Sequence, residues 1–301
     1  MPRPLALPRS LVGVALSLLA VLFGVLTGIL VKKLSTDVTL VTTIFYRFLF
    51  SLPIIFIVAL VMRGRDWLHI RQRKTMCLRV FFGFCGIMFW FLSVRNMPFG
   101  LATSLFQSSV IFITLMSPFL LNEKVGIYRC SAVIAGLSGV VIITNPFSGA
   151  MTLAAFFGVG AALSSAVLAI LLRRLGKGDV PISVACWYNG SGFVAAGIVV
   201  LLFPGQFDAV SQPIFFDLVW LGVIGAGLQI VLTTAYRYAD AVAVASMRYL
   251  QMPVSAVAGY VIFAEVMTPV EIFGALVIIS SCLVIAWREL LRAGEANQPG
   301  I

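Results

Sequence analysis

The chain has 301 residues, of which 61% are apolar and only 11% charged. A soluble domain has about a quarter of its residues charged, so composition excludes one large water-facing globule and equally a pair of smaller ones. The net charge of +10 would suit a nucleic-acid binder only if the basic residues clustered on one wet surface. They lie between apolar segments instead, so no nucleic-acid partner is expected and membrane topology accounts for the charge.

Taken in chain order, the apolar windows predict helices near 11–31, 38–62, 76–94, 99–121, 125–144, 151–172, 182–204, 216–236, 241–263 and 269–287. The first window follows Arg3 and Arg9 as a signal peptide would. It is too long for a signal h-region, lacks a small-residue cleavage site and ends at Lys32-Lys33, so it reads as a retained helix. Turn chemistry marks the gaps at Asn96-Met97-Pro98-Phe99-Gly100, Asn145-Pro146, Gly176-Lys177-Gly178 and Pro204-Gly205. The single histidine, His69, falls in a basic loop and reads as solvated. The five cysteines sit in apolar stretches without C-x-x-C spacing, so no disulfide framework, metal site or cofactor is expected.

Lys and Arg set the direction. With the N-terminus in the cytoplasm, sixteen basic residues lie inside, including the run Arg63, Arg65, Arg71, Arg73, Lys74 and Arg79. The opposite side holds three, Lys32, Lys33 and Arg95, while Arg47 and Arg248 fall within spans. This bias places both termini in the cytoplasm of a multi-pass protein of a bacterial inner membrane.

The chain also resembles itself at a shift of about 142 residues. Asp37-Val38 with Phe45-Tyr46-Arg47 falls on Asp179-Val180 with Trp187-Tyr188-Asn189, Gly83 on Gly225, Arg95 on Arg237, Ser104 on Ser246 and Glu123 on Glu265. Two units follow, 1–150 and 151–301, each with five spans. Five is odd, so the second unit enters the membrane in the opposite sense, the arrangement that lets a transporter open to either face. The expected fold is therefore all-α, with ten transmembrane helices in two inverted five-helix repeats around a central cavity.

Two five-helix halves, the aromatic-Tyr-Arg of the second span, and the segment Ser117-Pro118-Phe119-Leu120-Leu121-Asn122-Glu123-Lys124-Val125-Gly126 resemble the drug/metabolite transporter superfamily, specifically its EamA branch. Gln251-Met252-Pro253 through Phe263-Ala264-Glu265 to Pro269 resembles the same signature in the second half. The resemblance covers roughly residues 11–287 and does not specify a substrate. It implies that helices 1–4 and 6–9 line the path, with helices 5 and 10 peripheral.

Ionisable groups inside a bilayer are costly and mark functional sites. Arg47 and Arg248 lie deep in their spans, and every carboxylate is near a helix end. Either something anionic visits these guanidinium groups, whose forks suit carboxylate or phosphate, or they are satisfied by backbone carbonyls or by Asp240 or Asp179. Tyr46, Trp90, Trp187, Tyr188 and Tyr249 add ring faces, and Gln107, Asn189, Gln229 and Gln251 add amides; together with Arg47 and Arg248 these are the candidate substrate-binding residues. Glu123 and Glu265 are expected at the starts of the following helices, facing the positive macrodipole end. Pro118 and Pro253 are expected to interrupt helices 4 and 9, and Gly83, Gly86, Gly222 and Gly225 to serve helix packing.

These residues point to alternating-access transport of a small amphipathic metabolite, foremost an amino acid or related carboxylate, by facilitated diffusion or exchange. The alternatives are a lipid or lipid-linked-sugar flippase, or uptake of a vitamin or nucleoside-like cofactor. Helix 1 lacks the carboxylate that proton–cation exchange requires. No paired carboxylates, H-E-x-x-H, G-x-S-x-G or Gly-rich phosphate loop suggests an enzyme. The expected partners are the small-molecule substrate and membrane lipids, with a monomer preferred over a dimer.

Overall fold

A computed structural model of the chain describes residues 9–120, 127–144, 153–176, 178–238 and 247–296, and the regular structure among them is helical. The helices are α1 (Arg9–Lys33), α2 (Leu40–Arg63), α3 (Arg73–Asn96), α4 (Phe99–Gln107), α5 (Ser109–Leu120), α6 (Ile127–Thr144), α7 (Leu153–Leu175), α8 (Pro181–Leu202), α9 (Gln212–Tyr238), α10 (Gln251–Phe263) and α11 (Pro269–Ala296). Among the described residues, seven helical stretches are long and apolar enough to cross a membrane, with α4 and the first part of α5 counted as one, and three apolar helices are shorter. Ten full spans were expected. One of the short ones, α10, is cut off by a turn at Tyr249–Leu250.

Local chemistry explains the helix ends. Thr39 caps α2 by accepting the Thr42 N–H, and Pro181 opens α8, where its missing N–H has no helical partner to lose. Ala264 closes α10 in the left-handed region at φ 52°, and the next N–H, from Glu265, returns to Gly259 O at 3.1 Å. Thr268 and Glu271 form a reciprocal capping box at the start of α11, with Thr268 N–H donating to Glu271 Oε2 at 2.7 Å. Leu201, Phe216, Val261 and Phe273 are exposed on the outer surface, as lipid-facing residues should be.

Packing follows the 142-residue shift. That shift carries α1, α2 and α3 onto α7, α8 and α9, and α6 onto α11. In space α2 packs on α8, α4 on α10 and α6 on α11, while α1 packs on α9 and α3 on α7. Thus α2–α8 and α6–α11 are pairs that the shift relates, and α1–α9 and α3–α7 exchange under it.

The breaks in the fourth and ninth predicted helices are not at the prolines. Backbone helix continues through Pro118 inside α5, and Pro253 stands in the first turn of α10, where proline is tolerated. The first break is at Ser108, whose hydroxyl donates to Leu105 O at 2.6 Å and whose N–H bonds Leu105 O and Phe106 O. A serine that turns onto the backbone competes with the helical ladder. The second break spans Tyr249 and Leu250, and Leu250 lies 142 residues beyond Ser108.

Candidate functional site

Four helices, α2, α3, α8 and α9, surround the most distinctive polar cluster. Arg47 on α2 is 4% exposed and Arg79 on α3 is 2% exposed. Counted from their helix starts at Leu40 and Arg73, they lie about 10 Å and 9 Å in, at 1.5 Å per residue. The Arg79 guanidinium lies over the Tyr188 ring at 4.1 Å, and the Arg47 guanidinium over Phe48 at 4.8 Å. Phe48 meets Tyr188 edge-on at 5.6 Å, so two cations and two rings form one continuous cluster.

Tyr188 is the hinge of this group. Its hydroxyl donates to Gly83 O at 3.1 Å, which leaves oxygen lone pairs for Arg79. Gly83 is required here because an added Cβ would stand 2.7 Å from the tyrosine ring. Gly225, its repeat counterpart on α9, faces Arg47 Nε at 3.5 Å by the same measure. Gly222 and Gly86 do serve helix packing, against the Phe50 backbone and Ser164. Gly83 instead makes room for the Arg79 guanidinium, whereas a Cβ on Gly225 would only touch Arg47 at ordinary contact distance.

Nε and Nη1 of both Arg47 and Arg79 are buried without a hydrogen-bond partner. Asp179, one partner considered for the buried arginines, is engaged elsewhere. It accepts the N–H groups of Arg71 at 2.7 Å and Gln72 at 3.3 Å. Asp240, the other, lies outside the described residues.

A second cluster joins α3, α4 and the segment before α10. Trp90 tilts against Phe106 with centroids 4.8 Å apart, and the Arg248 guanidinium lies 5.5 Å from the Phe106 ring. The Gln107 amide donates to Arg248 O, bridging the two breaks. Arg248 is partly exposed, whereas Arg47 is buried. Gln251 places its amide against Gly24 of α1, 3.0 Å from where a Cβ would stand.

The remaining candidates point elsewhere. Trp187 is 42% exposed and donates from Nε1 to Leu68 O in the 64–68 turn, so it faces away from Tyr188. Asn189 is fully buried, accepts from Ser51 Oγ at 2.9 Å and donates to Ala185 O at 2.9 Å, cross-linking α2 to α8. Tyr46 stacks on Phe50 and Phe207 in an aromatic cluster that also includes Phe45, Phe193 and Phe215. Tyr249 is turned toward Cys282 of α11. Gln229 is partly buried on α9.

One end of the bundle is tied across the halves. Lys32 Nζ pairs with Glu265 Oε1 at 2.7 Å and donates to Met97 O at 2.7 Å. Glu265 Oε2 accepts the Phe99 N–H at 2.7 Å, so this carboxylate caps α4 rather than the helix that follows it. Glu271 takes the expected role at α11, and Glu123 lies outside the described residues. Lys33 pairs with Asp217 at 2.8 Å, and Asp208 Oδ2 accepts from Thr39 N–H at 2.5 Å and Thr42 Oγ1 at 3.0 Å. Burial acts to raise the Asp208 pKa, but those hydrogen bonds and the Arg95 charge outweigh it and hold the carboxyl below its ordinary value.

Arg79 is the residue that sequence reading missed, having been assigned to the cytoplasmic basic run. It already lay inside the predicted window near 76–94, and helix α3, which starts at Arg73, places it almost two turns from the helix start. Gly83, one turn on and matched to Gly225 by the repeat, was the available signal.

With these clusters in place, the comparisons with known proteins are specific. A sequence model of the EamA-like transporter family matches residues 11–145 and again 152–287. The chain belongs to that family. An S-adenosylmethionine uptake transporter of Rickettsia bellii is 28% identical over 287 residues, covering 94% of this chain and 96% of the relative. A riboflavin transporter of Vibrio cholerae is 27% identical over 236 residues, covering 77% and 78%. One of Rhizobium johnstonii is 30% identical over 256 residues, covering 82% and 80%. A solved crystal structure shares the fold at a TM-score of 0.64, with 16% identity and coverage of 91% and 96%. The EamA protein described here is thus a multi-pass transporter of a small molecule. None of these relatives is named for an amino acid, so the amino-acid expectation gains no support; their names favour the vitamin and nucleoside-like alternative.

Proposed function

We propose that this EamA transporter carries a flat, ring-bearing metabolite of the vitamin or nucleoside-cofactor class across a bacterial inner membrane, by facilitated diffusion or exchange. The observation that carries this reading is the make-up of the interior. Phe48, Trp90, Phe106 and Tyr188 supply ring faces, and Arg47, Arg79 and Arg248 supply donors. Every described carboxylate stands near a helix end or in a connection. Planar nitrogen heterocycles stack on such rings and accept hydrogen bonds from such donors. Riboflavin and S-adenosylmethionine both carry one, which is the chemistry that the relatives' names share.

The transport cycle follows from the two halves, 1–150 and 151–301, inserted in opposite senses around a central path. The reciprocal helix pairing and the breaks 142 residues apart support that duplication. With both termini cytoplasmic, the end tied by Lys32–Glu265, Lys33–Asp217 and Asp208–Thr39 faces outward and is closed in this conformation. Opening it separates α1 and α4 from the connection before α11, α1 from the start of α9, and the start of α2 from the connection before α9. Both halves contribute to the interior, so a single chain suffices.

Proteoliposomes holding the purified protein test the reading with labelled riboflavin, S-adenosylmethionine, phenylalanine and a labelled phospholipid. Entry of at least one ring-bearing cofactor is expected. Entry of phenylalanine alone, or lipid scrambling alone, contradicts it.

A further inference from the structure

We infer that Arg47 and Arg79 together form a subsite for an acid group, a carboxylate or phosphate, carried by the transported molecule. The inference rests on the transport reading for the source of the ligand, and it assigns the pair a task that Arg248 does not share.

The argument begins with unmet hydrogen-bonding capacity. A guanidinium has five N–H donors lying in its plane. The Phe48 and Tyr188 rings contact the faces of these groups, so cation–π attraction leaves the in-plane donors untouched. Nε and Nη1 of both residues are buried and unpartnered, and Tyr188 satisfies only part of Arg79. A buried charge without a counter-charge is strongly unfavourable. Here two like charges stand close enough to repel each other.

The protein itself offers no described counter-charge. Asp179 is held by backbone N–H groups, Asp208 by Thr39 and Thr42, Asp217 by Lys33, Glu265 by Lys32 and Phe99, and Glu271 by Thr268. Asp37 and Asp66 stand in connections. No carboxylate among those described is left to supply the negative charge, so a ligand's acid group is welcome here and a cationic group is repelled.

Geometry favours a shared anion. The rings hold both guanidinium groups in one cluster, and Gly83, where a side chain would strike Arg79 and Tyr188, keeps the space beside them clear. Arginine forks grip carboxylate and phosphate oxygens through paired N–H donors. The Tyr188 hydroxyl, committed to Gly83 O, fixes the Arg79 side of the pair. An acid group docked here would cancel the repulsion between Arg47 and Arg79, which stand on neighbouring helices of the first half.

The experiment measures binding to the full chain in detergent, by ligand-induced thermal shift and equilibrium dialysis. The probes are riboflavin against riboflavin 5′-phosphate, S-adenosylmethionine against its carboxamide, and inorganic phosphate alone. In wild type, the acid-bearing member of at least one pair should bind about ten- to a hundred-fold more tightly, the worth of one or two charge-assisted hydrogen bonds. Arg79→Gln and Arg47→Gln should each remove that preference, so that the acid-bearing and neutral members of the pair bind equally. Equal affinities within both pairs in wild type, or a preference that survives Arg79→Gln, overturn the inference. The wild-type comparison decides the matter if a variant does not fold. Phosphate protecting wild type but not Arg79→Gln, with no ring-bearing probe bound, supports the anion site with a free anion as occupant and sinks the ring-bearing reading. No binding of any probe to wild type overturns both.

Discussion

Lys32 of the first half and Glu265 of the second meet at 2.7 Å, and the same carboxylate caps α4 through the Phe99 N–H. Glu265 reaches both because α10 ends in a left-handed residue and because Gly259 has no side chain, leaving 3.0 Å between Glu265 Oε2 and the place of a Cβ. Glu265→Ala removes an ion pair and a cap together and should cost about 1–3 kcal/mol, the penalty for stranding a partly buried donor. Glu265→Gln keeps an acceptor for Phe99 and should cost less. Thermal unfolding in detergent checks the order; equal losses would show that the cap contributes nothing.

Asn189 was expected at the substrate, and the structure gives its amide to Ser51 and Ala185. Asn189→Ala should therefore destabilise the protein by about 1–3 kcal/mol. Ligand affinity in the surviving folded fraction should stay within a few-fold of wild type, as measured by equilibrium dialysis. A large affinity loss with unchanged stability would return Asn189 to the site.

Two glycines should respond oppositely to alanine. A Cβ on Gly100 would stand 2.8 Å from Ala256 Cα, so the α4–α10 crossing must open, at about 1–3 kcal/mol. Gly197 in α8 has nothing within 4 Å of its added Cβ, and Gly197→Ala should stabilise by about 0.5–1 kcal/mol through backbone entropy. Melting curves of the two variants give the signs.

Acid should loosen the tied end. The Asp208 pKa is lowered, so its contribution is complete above the ordinary carboxylate value, near pH 4, and is lost as pH falls through the lowered one. Between about pH 5 and about pH 3, wild type should lose more thermal stability than Asp208→Asn, which starts lower and lacks that titration. Parallel pH profiles for the two proteins would remove Asp208 from the closure.

Much of the fold was legible because lipid imposes long apolar windows that composition reveals directly. The break at Ser108 was not. It carries no proline or glycine, and a hydroxyl turned onto Leu105 O leaves no mark in a hydropathy profile. Pro118 advertised a break that the backbone did not make. Arg47 was legible as a buried cation and Tyr188 as a ring in the tripeptide that the repeat sets opposite it, although the ring that Arg47 meets is Phe48. Arg79 was hidden by its basic neighbours, which drew it into the count of cytoplasmic charges although it stands inside the predicted helix. Trp187 shared a tripeptide with Tyr188, but adjacent helical residues point about 100° apart, and it faces outward.

The central claim is that transport requires the Lys32–Glu265 end to open and close. A variant lacking the five native cysteines, carrying Lys32→Cys and Glu265→Cys, joined by a short reducible bifunctional thiol reagent, tests this in proteoliposomes with labelled riboflavin and S-adenosylmethionine. Uptake should stop while the cross-link is intact and return on its reduction. Undiminished uptake through a fully cross-linked protein would contradict the account.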